Sequence, residues 1–577
     1  MRPHLMLSRS LAVTLLAGLA PAAMAQYSAD PASPLILTSS PGEDVQPKVL
    51  PVPATASTGA GGVWLSWFTA PGYSVWLQRL DAQGNRMIQG DGVQVAQLTL
   101  SSTTDYGLAV DADGNAYVAF TDTRFTPGNQ ISVAKVTPSG QLAWNTNGQG
   151  GVTLTAGTTS KNSPKVAVLS GGGLAVGWSQ SPGVVLQRVN ANGTLSGASV
   201  TVSESGRTIS LSDLATSLDD SFIALWIRPD TTSFLSAKSL VAQRFSGINA
   251  PLWSAPSGAP GTAVSNAGTP PVIYATGALS ADGQNRSVQN GYFPTLRPDG
   301  AGGAMVFWYD NGAARNAWVQ HVQADGRLVF QQNGFAAVDP SQAGQLRLSA
   351  SGYRHASGDY IMAFTTANTL QSQFGVGVQR ITPAGQRLFG PLGSEVLGLS
   401  GSQPSFLQVA PFPSDQGSAL VWQSTVATAT PVALFAARVS DTGQLVWPVT
   451  PTTVGPAGTG KARLALAATS QSVPVFAWSE GASGAANIAA SNLNLDGSVG
   501  PPPRSACLAD VTGIGGPPST PDGLLTGDDF NAIIAAFAAG ELLADLTGIG
   551  GPPSPPDTLI TGDDFNAFIA AFAAGCP

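Results

Sequence analysis

One phrase recurs along most of this 577-residue chain, and it narrows the folds the chain can adopt. A short apolar run leads into Gln-Arg or a relative, and a Gly follows a few residues later. The copies are Leu77-Gln78-Arg79 with Gly84, Ala134-Lys135 with Gly140, Leu186-Gln187-Arg188 with Gly193, and Ala242-Gln243-Arg244 with Gly247. Then come Val319-Gln320-His321 with Gly326, Val378-Gln379-Arg380 with Gly385, Ala437-Arg438 with Gly443, and Ser491-Asn492 with Gly497. In seven of these eight copies the Gly sits five residues after the Arg, Lys, His or Asn; the copy with Gly247 is looser.

Upstream of most phrases a short run ends in an aromatic: Trp67, Phe120, Trp178, Trp226, Trp308, Trp422 or Trp478. Further apolar runs lie on either side, separated by Gly, Asp, Asn and Pro, the residues that make turns. Each unit therefore holds about four short strands in roughly 56 residues. One unit is longer, with an insertion around Asn266 to Gln289. Four strands repeated about eight times predict a mostly β fold, an eight-bladed β-propeller over residues 26–500. Seven blades or two stacked sandwiches are the alternatives. The recurring aromatic is expected to pack between blades and the recurring Gly to turn a hairpin. The phrase resembles the loose repeats of secreted bacterial propeller proteins. Pro34-Leu35-Ile36-Leu37-Thr38 looks like the last strand of a unit placed ahead of the first, so it is expected to complete the final blade and remove two open edges.

The first 25 residues have the order of a secretory signal. Arg2 and Arg9 precede the apolar stretch Leu11 to Ala20, and Ala23-Met24-Ala25 has the small-residue form of a cleavage site. The apolar stretch is too short to span a bilayer, and no later segment is long and apolar enough. An exported protein, extracellular or attached to the cell surface, is expected. Only 10% of residues are charged and no basic cluster stands out, which argues against nucleic acid as a partner. Cys507 and Cys576 bracket the C-terminal segment and occur nowhere else, so in an oxidising compartment one disulfide is expected to close it.

That segment follows a Pro-rich linker, 501–506, and occupies residues 507–577. Asp510 starts DVTGIGGPPSTPDGLLTGDDFNAIIAAFAAG, and Asp545 starts DLTGIGGPPSPPDTLITGDDFNAFIAAFAAG. The second part of each half is helical by spacing: Phe530, Ile533, Ile534 and Phe537, then Phe565, Phe568, Ile569 and Phe572. Each helix alone is too short to be stable in water, so the two apolar stripes are expected to pack together. Gly540 and Gly575 stand where the helices should stop.

The first part supplies oxygen ligands. With Ile514 to Pro521 set aside as an insertion, a twelve-position calcium loop can be laid on Asp510, Thr512, Asp522, the Leu524 carbonyl, Thr526 and Asp529, with Gly523 at the turn. The second loop gives Asp545, Thr547, Asp557, Leu559, Thr561 and Asp564, with Thr558 at the turn. From Ser505 onward there are eight Asp, one Glu and no Lys or Arg, a charge of −9 against −8 for the whole chain. Carboxylates converging in each loop would repel one another without a cation, and two Ca2+ ions are expected.

A duplicated calcium loop, each followed by one helix, resembles a dockerin. The wording resembles the GC-type dockerin-like anchor of planctomycete-type bacteria. The resemblance covers about an eighth of the chain. It implies calcium-dependent folding and docking to a cohesin-like or cell-envelope protein. The Gly-Pro-Pro insertion splits each loop, and the positions at which dockerins choose a partner carry Gly527-Asp528 and Gly562-Asp563 instead of the common Ser/Thr.

The long repeat domain is expected to be non-catalytic and to bind an unknown ligand. The alternative is a polysaccharide-degrading glycoside hydrolase or lyase, whose chemistry would need carboxylates facing a cleft. Asp122, Asp230 and Asp310 follow strand-like runs, yet none belongs to a recognisable motif. His321 occupies the Arg slot of the repeat and His355 stands alone, so no catalytic residue is assigned.

Overall fold

The computed structural model describes residues 26–39, 41–55, 58, 61–102, 104–125, 128–144, 150–254, 266–277, 279–280, 286–312, 315–342, 344–425, 432–469, 472–500, 509–513, 516–517, 525–547 and 559–574. The signal segment, the Pro-rich linker, Cys507, Asp522, Leu524, Asp557 and Cys576 lie outside the described residues.

Among the described residues thirty-three strands form eight separate antiparallel sheets, seven taking their strands in order along the chain and the eighth adding the N-terminal strand to the last three. Innermost strands of neighbouring sheets lie side by side, the eighth sheet returning to the first, and between the fifth and sixth sheets Ala304–Tyr309 lies beside Ser351–Arg354. The result is a closed ring, an eight-bladed β-propeller. The innermost strands, in blade order, are Glu43–Val52, Gly107–Val110, Asn162–Val168, Ser210–Thr216, Leu296–Pro298, Ser351–Arg354, Pro404–Pro411 and Lys461–Thr469. In blade six the short strand Gln345–Arg347 pairs with the same second strand. Part of the expected insertion is blade material, because Val272–Tyr274 is the outermost strand of blade four.

The ring closes as the N-terminal strand predicts. Leu35 pairs with Ala490 and Ile36 with Ala489, so the first strand becomes the outer edge of blade eight. Tyr27, Leu35 and Leu37 are buried in a cluster shared by blades eight and one.

Eight hydrophobic clusters hold the ring, each drawn from two neighbouring blades. The recurring aromatics fill them: Trp67, Phe120, Trp178, Trp226, Trp308, Trp422 and Trp478 are all buried. Each of these residues removes on the order of 150–250 Å2 from water, which is why the aromatic repeats with the blade.

The recurring glycines do more than turn. Gly84, Gly140, Gly193, Gly326, Gly385, Gly443 and Gly497 have φ between +78° and +89°, where a side chain is disfavoured. A side chain from the preceding blade also presses on several of them. A Cβ on Gly193 would lie 3.0 Å from the Trp144 ring, on Gly326 2.7 Å from Trp253, and on Gly497 3.1 Å from Trp447. Tyr27 takes the same role against Gly84, so the N-terminal segment supplies what a previous blade would. The looser copy turns differently from expectation: the left-handed residue is Asn249, φ +59°, and not Gly247. Asn249 stands five residues after Arg244, where the other copies carry Gly, and Asn tolerates this backbone region.

Buried glutamines and arginines complete the joints. Gln243 Oε1 accepts from the Arg244 and Trp253 N–H groups, at 2.9 Å each, and its Nε2 donates to Trp253 and Ala267 carbonyls, at 3.0 Å each. Gln78, Gln320 and Gln379 clip their own loops in the same way. The adjacent Arg reaches the turn of the following blade: Arg244 to the Ala324 carbonyl, Arg380 to Asp441, and Arg438 to Leu495. An amide that meets four backbone groups leaves none of them orphaned in the interior.

Candidate site in the axial passage

The innermost strands do not run straight. Five of them are interrupted by β-bulges, between Val45 and Lys48, Asn162 and Lys165, Leu211 and Asp213, Ser405 and Gln408, and Ala462 and Ala465. Four place a non-Gly residue in the left-handed region: Gln46, Ser163, Phe406 and Arg463, with φ from +51° to +58°. Each costs about 1–2 kcal/mol of backbone strain. The bulges set Lys48, Lys165, Asp213 and Gln408 at one level of the ring, paired with Ser66, Gly177, Leu225 and Val421. Bulges re-aim side chains in this way at the rims of β structures.

At this level the passage is charged. Asp105, just ahead of the blade-two strand, bridges Lys48 at 2.8 Å and Lys165. The Lys48 ammonium also lies 4.5 Å from the Tyr106 ring centroid. Burial works to raise the Asp105 carboxyl, but the two lysines outweigh it and hold the carboxyl well below the usual range. Burial lowers the Lys48 ammonium despite Asp105. Asp213 is pushed up by burial, although its oxygens accept from the Leu296 and Leu214 N–H groups, at 2.8 and 2.9 Å. Lys48, Tyr106, Lys165, Asp213 and Arg297 line a cavity of about 420 Å3.

Toward the other face the passage widens to about 860 Å3, and the two cavities share Val49, Leu50, Arg297, Pro298 and Leu466 in their walls. Arg297, Asp299, Tyr353, Arg354, His355 and Ser357 supply the polar lining of the wide part. Volumes of this size suit small-molecule and oligomeric ligands. Beside it His321 is held between two partners, its Nε2 2.8 Å from Asp299 Oδ2 and its Nδ1 2.7 Å from the Tyr360 hydroxyl. Burial lowers the His321 imidazole and outweighs the hydrogen bond and charge of Asp299. Burial also works to raise Asp299, but His321 and the Ala301 and Gly303 N–H groups bring its carboxyl below the usual range. Burial pushes the Tyr360 hydroxyl up to about 12. His355 has its Nδ1 2.9 Å from Ser357 Oγ and its Nε2 3.4 Å from Asp441 Oδ1. His321 lines a smaller pocket beside the wide cavity, with Asp299 and Arg354, whereas His355 lines the wide cavity itself.

Asp122, Asp230 and Asp310 line neither cavity. Asp122 takes three bonds from Arg124, at 2.7–3.0 Å. Asp230 accepts from Thr276 at 2.7 Å. Asp310 accepts from Tyr274 at 2.7 Å and the Asn316 N–H at 2.9 Å, and burial raises its carboxyl. Asp122 and Asp230 clip their own blades, and Asp310 ties blade five to Tyr274 of blade four.

The C-terminal segment has a separate small core drawn from residues between Ala509 and Phe572. Its helices are α1, Gly527–Ala539, and α2, Gly562–Ala574. They pack through phenylalanines as expected: Phe530 lies 6.0 Å from Phe568 and 5.7 Å from Phe572, and Phe537 5.4 Å from Phe565, centroid to centroid. The buried stripe of α1 is offset from the expected one. Ala532, Ile533 and Ala536 are buried, while Phe530 and Ile534 remain 38% and 41% exposed. The loop residues Ala509, Val511 and Leu546 take the room instead. Gly540 ends α1 at φ +71°.

Among the expected calcium ligands, Asp510, Thr512 and Asp529 in one half and Asp545, Thr547 and Asp564 in the other are buried. Asp529 Oδ1 accepts from the Val511 and Thr512 N–H groups, at 3.0 and 2.9 Å, and Oδ2 from the Thr526 N–H and hydroxyl, at 2.9 and 3.3 Å. Asp564 repeats this with Leu546, Thr547 and Thr561. Burial works to raise Asp564, but those N–H groups outweigh it and its carboxyl falls below the usual range. Thr526 caps α1 with a capping box. Asp529 and Asp564 therefore fasten loop to helix. A carboxylate accepts about four hydrogen bonds, and here its own chain supplies them. Leu559 is exposed. The donors are hard oxygens, the class that calcium selects. Among the described residues no group of three or more His, Cys, Asp or Glu gathers as a metal site, with Asp522 and Asp557 outside them.

No family model and no curated protein matches the chain. Among solved structures it is similar to a PL25 ulvan lyase bound to a saccharide, at 10% identity and TM-score 0.41, over 81% of this chain and 96% of that one. It is similar to the Dos1 propeller at 10% identity and TM-score 0.39, over 79% and 94%. A protein of unknown function from Dyadobacter fermentans matches at 12% and 0.30, over 57% and 93%. The propeller architecture rests on the sheet order, and no residue role passes from these proteins to this chain. Among the described residues no helix is long and apolar enough to cross a membrane.

Proposed function

We propose that the chain is an exported, non-catalytic binding protein that takes a ligand in its axial passage and is attached to a surface or complex through its C-terminal module. The observation that carries the binding role is the 860 Å3 cavity on the ring axis, lined by polar side chains set on a braced scaffold. Strained bulges next to it fit the same role, since strain of this kind gathers at functional sites.

The module would hold two Ca2+ ions through Asp510, Thr512, Asp522, the Leu524 carbonyl, Thr526 and Asp529, and through their counterparts Asp545 to Asp564. Calcium would offset the −9 charge of the module. Ile534 and Ile569 occupy the same place in each half and are 41% and 39% exposed, which supports a role for the helices in docking a cohesin-like or cell-envelope protein. Cys507 and Cys576 would close the module.

A second role, a polysaccharide-degrading enzyme, is favoured by one feature: His321, between Asp299 and Tyr360, beside the same cavity. Incubating the mature protein with a panel of plant and algal polysaccharides separates the two. Retention of a polysaccharide without product release is the expected result. Product release abolished by one carboxylate or His321 substitution would replace binding with catalysis. For the module, a cell-envelope pull-down should lose its partner on chelation; capture unchanged by chelator would sink calcium-dependent attachment.

A further inference from the structure

The arginines of the ring are mostly spoken for. Arg79 donates to Thr58 and Pro138 carbonyls, Arg188 pairs with Asp220, Arg228 with Glu204, and Arg380 with Asp359. Arg297 and Arg354 differ. They sit on the innermost strands of blades five and six, are exposed, and line the wide cavity. Among the described residues neither makes an ion pair, and the Arg354 guanidinium reaches one carbonyl, that of Asp299, at 3.4 Å.

The opposing charge in that cavity is already used. Asp299 is its lining carboxylate, and its oxygens accept from the Ala301 and Gly303 N–H groups, at 2.7 and 2.8 Å, and meet His321. Burial within the passage lowers the Arg297 guanidinium and outweighs the charge of Asp213, which accepts from two N–H groups of its own. Apart from that one carbonyl, the two guanidinium forks on the cavity wall make no hydrogen bond or ion pair among the described residues. Such forks match carboxylate and sulfate oxygens two at a time. The rest of the wall carries His355 and Ser357 and is otherwise largely uncharged and apolar, with Val49, Leu50, Met305, Val409, Leu466 and the Tyr353 ring. The passage continues into the second cavity, so it suits an extended occupant with spaced anionic groups along an otherwise neutral body.

We infer that the axial passage binds an acidic oligosaccharide segment, with its carboxylate or sulfate groups held by Arg297 and Arg354. This rests on the ring being a ligand-binding body. The experiment is calorimetric titration of the mature protein with three oligosaccharides of equal length: a uronate, a sulfated sugar without carboxylates, and a neutral glucan. The same titrations are run on Arg297→Gln, Arg354→Gln and Arg354→Lys. Melting curves confirm that these exposed substitutions leave the fold intact.

At least one acidic oligomer should bind at least about tenfold more tightly than the neutral one. Each Gln variant should lose about tenfold, the Lys variant less, and affinity should fall with added salt. Whichever acidic oligomer binds more tightly identifies the anionic group. A neutral oligomer bound equally well, or acidic affinity unchanged in both Gln variants, overturns the acidic ligand and leaves the binding role standing. No binding of any oligomer in wild-type protein overturns the acidic saccharide. If the wider polysaccharide panel also fails, the binding role falls with it.

Discussion

Removing one leucine from the N-terminal strand should loosen the whole ring. Leu37 is fully buried in the cluster that joins blade eight to blade one, and its N–H donates to the Ile488 carbonyl at 2.7 Å. Leu37→Ala keeps the backbone bond and empties the side-chain space. Buried Leu→Ala changes cost about 2–5 kcal/mol, so about 3 kcal/mol is expected here. Unfolding entropy is about 2 cal/mol/K per residue, roughly 1 kcal/mol/K for a ring of about 470 residues, so Tm should fall by about 3 °C. Ile36, one residue earlier, faces the other way and is 37% exposed. Ile36→Ala should cost under about 1 kcal/mol, within about 1 °C of wild type. The assay is thermal melting of the mature protein by far-ultraviolet circular dichroism, with calorimetry to check that one transition reports the ring. If Leu37→Ala melts with wild type, or the two variants fall together, the N-terminal strand does not close the ring as described.

Three further substitutions and conditions separate local causes. Gly326→Ala forces φ +88° on a side chain and sets its Cβ 2.7 Å from the Trp253 ring, so it should cost about 2–4 kcal/mol; Gly247→Ala, with its nearest atom at 3.7 Å and no positive φ, should melt with wild type. Asp529→Asn removes the charge that four donors face and should weaken the C-terminal module by about 1.5–3 kcal/mol, read as faster proteolysis of that module with the ring melt unchanged. His321 and Asp299 both lie below their ordinary pKa values, so the unfolded chain binds more protons than the folded one. Stability should be full above about pH 6.5, decline below it through His321, and decline again below about pH 4 through Asp299; His321→Gln should flatten the first decline in denaturant titrations at pH 7 and 5.5.

The ring was legible because its signals are local and repeated. The seven recurring aromatics, each buried in the second strand of its blade, and a Gly five residues after the Arg, Lys, His or Asn in seven of the eight copies report a blade core and a blade turn. Ring closure was legible from a strand out of place, Leu35–Ile36, because an open sheet edge has few other uses. The glutamines were visible but their work was not: the four hydrogen bonds of Gln243, to Arg244, twice to Trp253 and to Ala267, depend on a hairpin that only the fold creates. The axial passage was hidden for the same reason. Lys48, Asp105 and Lys165 are 57 and 60 residues apart and meet only when three blades do. His321 looked isolated because the ring, not the sequence, brings Asp299 and Tyr360 to its two nitrogens. In the module the spacing of Phe530, Ile533, Ile534 and Phe537 marked the helix correctly, yet it put Phe530 and Ile534 inside. Alanine at 532 and 536 lets the loops approach more closely on that side, and no periodicity of large residues reveals a face built from small ones.

The most direct test of ligand binding in the axial passage is a crystal structure of the mature protein soaked with its best-binding polysaccharide oligomer. An intact oligomer is expected in the wide cavity against blades five and six, in contact with Arg297 and Arg354. A cleaved product there, or an oligomer seated on the outer rim while the passage stays filled with solvent, would contradict it.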